Sequence, residues 1–77
     1  MITFKRLDIR PLMARGEEPL TRIRAALARL PAEQGLALVT PFLPAPLIEM
    51  LAGEGYQSRV EPAGGGDWVV YFRRSDT

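Results

Sequence analysis

The residues with the most chemical potential in this 77-residue chain surround one predicted helix start. They bring guanidinium groups, carboxylates and turn-forming residues into one short segment: Asp8, Arg10, Arg15, Gly16, Glu17, Glu18, Pro19 and Arg22. Guanidinium groups and the free N–H groups at a helix N-terminus can together bind a phosphate, a carboxylate or a sulfur oxyanion. The segment therefore predicts a binding site for a small anion or for an acidic part of a protein partner.

A purely structural interpretation of this segment is favoured, and the binding interpretation stays open beside it. The arginines would pair with Asp8, Glu17 and Glu18 in a solvated loop, where two carboxylates would oppose an incoming anion. Glu17 and Glu18 are expected to stabilise the helix start rather than to act as an acid–base pair, because no nucleophile accompanies them. Pro19 is suited to the first helical position, where its missing N–H has no intrahelical partner.

Cysteine and histidine are both absent from the sequence. Their absence excludes thiolate nucleophiles, persulfides, disulfides, zinc sites of the Cys/His type and imidazole acid–base catalysis. Ten basic residues against nine acidic ones give a formal net charge of +1, which is too small to concentrate nucleic acid or anionic lipid by itself. We therefore expect no catalytic residue, no metal site and no cofactor.

Length and composition predict one small domain over residues 1–77. A chain of this length cannot divide its apolar residues between two cores, and an apolar fraction of 47% is that of a globular protein. The sequence has neither a run of about 18 apolar residues nor an N-terminal signal pattern. Cytoplasmic residence without membrane contact is the expectation.

The N-terminal half predicts a strand, a loop and a helix. The strand runs from Thr3 to Ile9, and Pro11 is expected to end it. Residues Leu12–Gly16 are predicted to form a loop. The first long helix is placed from Pro19 to about Leu30, because its apolar residues recur with helical spacing and a proline follows it.

The remainder predicts three more strands and a second helix. A run that is apolar on both faces indicates an interior strand, and a strand with few apolar residues indicates an edge. The elements are an interior strand (Gly35–Thr40), a helix (about Pro44 to Gly53), an edge strand (Tyr56–Glu61), a glycine turn (Ala63–Gly66), a last strand (Asp67–Arg73) and a polar tail from Arg74.

The order β-α-β-α-β-β predicts an α+β fold, a two-layer α/β sandwich with two helices on one face of a four-stranded mixed sheet. The other sheet face is left uncovered. A homodimer would form there or at an edge strand, and the sequence leaves that option open.

Nucleic-acid binding is the alternative function. Trp68, Tyr71 and Phe72 could form a stacking platform, although core packing or dimerisation is favoured for them. Arg22 and Arg29 share one helical face and could contact phosphates, but two arginines make a weak patch. The fold is also similar to the two-layer C-terminal domain of a translation initiation factor, and fold alone does not imply function.

Several short motifs, in their order, resemble the TusA/SirA-like proteins. They are Leu7-Asp8-Ile9-Arg10, Glu18-Pro19-Leu20 at a helix start, and Gly55-Tyr56 leading into a hairpin that ends in an aromatic-rich strand. The resemblance covers about residues 6–74 and is closest to a cysteine-less bacterial sister family of small domains of unknown function. It implies the same two-layer sandwich.

The resemblance also implies what this chain lacks. TusA-like proteins carry a persulfide on the cysteine of a Cys-Pro-x-Pro motif, and the alignment places Gly16 at that cysteine and Glu17 at the first proline. The loop is two residues longer, and Pro11 replaces a glycine. Sulfur transfer is therefore not expected. The expected function is a non-enzymatic module that binds a protein partner or a small anion through the loop and the N-terminus of the first long helix.

Overall fold

The computed structural model describes residues 2–75, so Asp76 and Thr77 of the predicted polar tail lie outside the described residues. The strands and helices follow the predicted order, with one further short helix after the first strand. The elements are β1 (Thr3–Asp8), α1 (Arg10–Ala14), α2 (Leu20–Ala28), β2 (Gln34–Thr40), α3 (Ala45–Gly53), β3 (Tyr56–Gly64) and β4 (Asp67–Arg74).

One four-stranded mixed sheet has the strand order β1-β2-β4-β3. Strand β2 is parallel to β1 and antiparallel to β4, and β4 is antiparallel to β3. The predicted interior position of β2 and the predicted edge position of β3 are therefore both confirmed. Helix α2 packs over β2, and helix α3 packs over β3. The fold is the predicted α+β two-layer sandwich.

The core lies between the sheet and its helices. Leu7, Leu38, Val70 and Val60 stand in register across all four strands. Since side chains alternate between the two faces of a strand, this row fixes which face the helices cover. In this core, Leu36, Leu38, Leu51, Val70 and Phe72 are all 0% exposed. Phe72 thus belongs to the core, as the favoured interpretation of the aromatic residues predicts.

Helix α1 corrects the predicted loop over residues 12–16. Pro11 does not merely end a strand, because it occupies the first turn of α1, where a proline costs no hydrogen bond. Leu12 of this helix is buried, and Met13 packs against the core. Strand β1 also ends at Asp8, one residue before its predicted end. The chain thus reaches α2 through a packed helical turn.

The second face of the sheet lies opposite the face that α2 and α3 cover, and its own side chains cover much of it. The ring of Phe4 meets the ring of Tyr71 edge to face, with 5.1 Å between the centroids. The guanidinium of Arg59 lies 5.0 Å from the centre of the Tyr71 ring. Ala37 and Val39, in the middle of this face, are only 8% and 5% exposed. We call this surface the open face.

The helices between residues 2 and 75 are all too short to cross a membrane.

Candidate interaction surface

The predicted site begins where helix α1 ends. The N–H of Gly16 donates to the carbonyl of Met13 and the N–H of Glu17 donates to that of Leu12, both at 3.0 Å. This pair of bonds is the Schellman arrangement, which requires a left-handed residue, and Gly16 has a φ of 75°. An L residue would be strained there, so a cysteine at position 16 would destabilise this loop.

Glu18 holds the start of helix α2. Its carboxylate accepts hydrogen bonds from the backbone N–H of Leu20 and from the backbone and hydroxyl of Thr21. Pro19 occupies the N-cap position, one residue before its predicted place in the helix. Glu18 therefore supplies the negative charge that the helix N-terminus favours, and the first N–H groups of α2 are already occupied.

The charges of the intervening loop neutralise one another. The guanidinium of Arg15 donates to the carboxylate of Glu17 across 2.8 Å and lowers the pKa of that carboxyl group. Arg22, which is exposed on α2, lowers the same pKa to a smaller extent through its charge. The pairing of Arg15 with Glu17 follows the structural interpretation of the sequence. Glu18 differs from that interpretation, because its carboxylate bonds to the start of α2 rather than to an arginine.

Asp8 pairs with Arg10, as the structural interpretation predicts, and Asp67, which the sequence did not indicate, joins them in a separate cluster. The guanidinium of Arg10 donates to both oxygens of Asp8, at 2.9 and 2.7 Å, and to Asp67 at 2.8 Å. The backbone N–H of Arg10 also donates to Asp8, at 3.0 Å. These bonds lower the pKa of Asp8 to about 2, with Arg6 adding a weaker pair at 3.6 Å. Arg10 thus joins the end of β1 to the start of β4.

The predicted site residues therefore fall into two groups rather than one. Asp8 and Arg10 connect the end of β1 to the start of β4. The other six residues, 15–19 and Arg22, surround the start of α2. Ile9, which lies between Asp8 and Arg10 in the sequence, is buried and lines a groove together with Pro19 and Leu20. The second group of residues therefore adjoins this groove.

The groove lies between the N-terminal ends of helices α2 and α3 and encloses about 320 Å³. All its lining residues are apolar: Ile9, Pro19, Leu20, Ile23, Phe42, Pro44, Pro46, Leu47 and Met50. Phe42, in the loop after β2, is 47% exposed, and its neighbour Leu43 is 45% exposed. An apolar concavity beside exposed large apolar side chains is typical of a binding surface. We call it the α2–α3 groove.

One ion pair connects the two helices beside the groove. The guanidinium of Arg24 on α2 donates to both oxygens of Glu54, at 3.0 and 2.8 Å, and lowers the pKa of that carboxyl group. The same guanidinium lies 3.5 Å from the sulfur of Met50, which lines the groove. This exposed pair bridges α2 to the end of α3.

Sequence reasoning missed the α3 side of this surface. The segment Pro41–Pro46 reads as a rigid connection. In the structure it bends at Pro41 and Phe42, and its last two residues begin α3. Its role as a groove wall depends on where α2 lies. A proline-rich segment that contains an exposed Phe-Leu pair was the available signal. Asp67 had no such signal, because 57 residues separate it from Arg10.

Within residues 2–75, no three carboxylates come together as a metal site would need.

The fold and the groove together define a small α+β two-layer domain with an apolar groove beside a capped helix start. The sequence profile of the family described as "Uncharacterized conserved protein (DUF2249)" matches residues 6–74, and the chain belongs to that family. Neither a search of curated proteins nor a search of solved structures returned a match.

Proposed function

We propose that this chain is a non-enzymatic, TusA-like interaction module that binds a protein partner at the α2–α3 groove and the adjoining start of α2. The observation that supports the proposal most is the groove itself, which is lined by apolar side chains alone. Such a surface gains free energy by taking up apolar side chains of a partner, at roughly 25 cal/mol for each Å² removed from water. Cytoplasmic residence is part of the same proposal.

A protein is favoured over a small anion as the ligand. An anion at the start of α2 would compete with the Glu18 carboxylate for the N–H of Leu20 and of Thr21. It would also meet Arg15 already paired with Glu17. A protein segment needs neither group, because its apolar side chains enter the groove while its polar groups face the paired charges at the rim.

The size of the groove indicates how the partner binds. A volume of about 320 Å³ accommodates one or two large apolar side chains rather than a whole helix. Interfaces of this kind depend on a few bulky anchor residues that fill a pocket. The expected partner therefore presents an aromatic side chain or a leucine that inserts between Phe42 and Leu47.

The test compares two neighbouring substitutions of equal exposure. Phe42→Ser removes a groove wall, and Leu43→Ser removes an equally exposed side chain that does not line the groove. The tagged chain is expressed in its native host, a copurifying protein is identified and purified, and its affinity for each variant is measured by calorimetry. We expect binding to weaken at least tenfold for Phe42→Ser and to persist for Leu43→Ser.

Nuclear magnetic resonance then locates the bound partner. The amide signals of residues 20–23 and 47–50 should shift on its addition. A partner that binds Phe42→Ser as tightly as the native chain contradicts the proposal, and so does the recovery of no specific partner. Phosphate, sulfate and thiosulfate at millimolar concentration should leave the amides of Gly16–Leu20 unmoved, and movement there would instead favour the anion site.

A further inference from the structure

Strand β3 forms one outer edge of the sheet. It pairs with β4 on one side, and within residues 2–75 no strand lies on its other side. All but two of its nine residues are exposed. The backbone N–H and C=O groups along such an edge can pair with a strand of another chain. We call this surface the β3 edge.

The charges of β3 are arranged symmetrically about one residue. Arg59 and Glu61 flank Val60 and lie on the open face, where their side chains are 69% and 49% exposed and 3.4 Å apart. Val60 lies on the other face, where it is partly buried against the core. An exposed ion pair is weak, so each of these charges can exchange its partner for one on a second chain.

Charge complementarity selects one register for a second copy of β3. Antiparallel strands related by a two-fold axis through Val60 place each Arg59 opposite Glu61 of the other copy, which gives two pairs of opposite charge. An axis through Arg59 or through Glu61 would place like charges directly opposite each other, which is destabilising. The register centred on Val60 is therefore the one that gives both charges an opposite partner.

The same register continues the apolar row of the core. Val60 is the last member of the row that crosses the sheet through Leu7, Leu38 and Val70. With the axis through Val60, the valines of the two copies oppose each other with their Cβ atoms about 4.5–5.5 Å apart. Each valine then covers the exposed side of the other. The interface thus has apolar contact on the helix side of the sheet and ion pairs on the open face.

We propose that two copies of this chain associate in solution by antiparallel pairing of their β3 edges, centred on Val60, into one continuous eight-stranded sheet. The ladder between the copies is short, because Pro62 has no N–H to donate and the pairing of β3 with β4 shifts register between Pro62 and Gly64. The dimer is therefore in reversible equilibrium with the monomer. Pairing at the β3 edge does not depend on a partner in the α2–α3 groove.

Charge reversal tests this register. Sedimentation equilibrium measures the dimer dissociation constant at protein concentrations up to about 1 mM. Arg59→Glu turns both ion pairs of the dimer into repulsions between carboxylates, and Glu61→Arg turns them into repulsions between guanidinium groups. Each variant alone should raise the dissociation constant at least tenfold, because the two-fold axis applies every substitution twice.

Mixing the two variants should restore the association. In a dimer with one copy of each, every charge on β3 again lies opposite a charge of the other sign. Native mass spectrometry distinguishes this heterodimer from either homodimer by mass. Its dissociation constant should lie within about threefold of that of the native dimer.

The matched control reverses an exposed charge on the other edge strand. Arg6 lies on β1, and its side chain is 65% exposed. Arg6→Glu should leave the dissociation constant within about twofold of the native value. A thermal unfolding curve of each variant checks that it is folded, as expected for substitutions of exposed residues.

Four results would overturn the proposal. One is a native chain that remains monomeric at about 1 mM, and another is Arg59→Glu dimerising as tightly as the native chain. A third is a mixture of Arg59→Glu and Glu61→Arg that forms no heterodimer, which would exclude the register centred on Val60. The fourth is loss of the dimer in Arg6→Glu but not in Arg59→Glu, which would place the interface at β1.

Discussion

Replacing Asp8 by asparagine should destabilise the fold in a way that depends on pH. The bonds from Arg10 hold the pKa of Asp8 near 2, whereas an unfolded aspartate titrates near 3.9. A difference of one in pKa corresponds to about 1.4 kcal/mol, so without screening Asp8 would contribute about 2.5 kcal/mol to the free energy of unfolding. Water screens this pair, because the side chains of Asp8 and Arg10 are 22% and 39% exposed. We therefore expect about 1 kcal/mol.

The sign follows from the direction of the shift. A carboxyl group with a lowered pKa in the folded state stabilises the fold above the unfolded pKa, and this contribution disappears as the pH falls through the folded pKa. Asp8→Asn should therefore cost about 1 kcal/mol at pH 7 and almost nothing at pH 2. At pH 7 this corresponds to a fall in the melting temperature of about 4–8 °C for a domain of this size.

The measurement uses urea unfolding followed by the fluorescence of Trp68, the one tryptophan of the chain. The matched control is Glu17→Gln, which removes the partner of Arg15 from a pair whose side chains are 49% and 56% exposed. The urea concentration at the unfolding midpoint of this variant should equal that of the native chain at both pH 7 and pH 2. An equal loss for Asp8→Asn at pH 7 and pH 2 would refute the reasoning, as would a Glu17→Gln variant that is just as unstable.

Three further substitutions, with one control, test the packing and the cap of α2. Gly35→Ala should cost at least about 2 kcal/mol in urea unfolding, because a Cβ there would lie 2.4 Å from the carbonyl oxygen of Phe72 and 2.5 Å from the ring of Phe4. The control is Gly53→Ala, where a Cβ would have nothing within 4 Å, and this variant should be as stable as the native chain or more stable. Glu18→Ala should lower stability by about 1 kcal/mol through the lost cap, and an unchanged thermal midpoint would argue against the cap. Leu51→Ala should cost about 2–5 kcal/mol, enough to leave much of the chain unfolded at 37 °C by circular dichroism.

The element order could be predicted because local patterns specify it. The helical spacing of the apolar residues gives α2, the doubly apolar run gives β2, and the glycine turn gives the β3–β4 hairpin. Helix α1 was missed because Pro11 serves equally well as a strand end and as a first helical turn. The buried contact of Leu12 with the rest of the fold selects the second option, and only the assembled structure contains that contact.

The candidate sites show the same division. The sequence by itself determined that cysteine and histidine chemistry is impossible, that a charged loop precedes α2, and that Glu18 and Pro19 stand at its start. The tertiary structure alone decided the pairing of Arg10 with Asp67 and the walls of the α2–α3 groove. It also decided the placement of Arg59 over Tyr71. The physical reason is range: capping and charge pairing act over a few residues, whereas a groove or a sheet face forms between segments that the chain brings together only on folding.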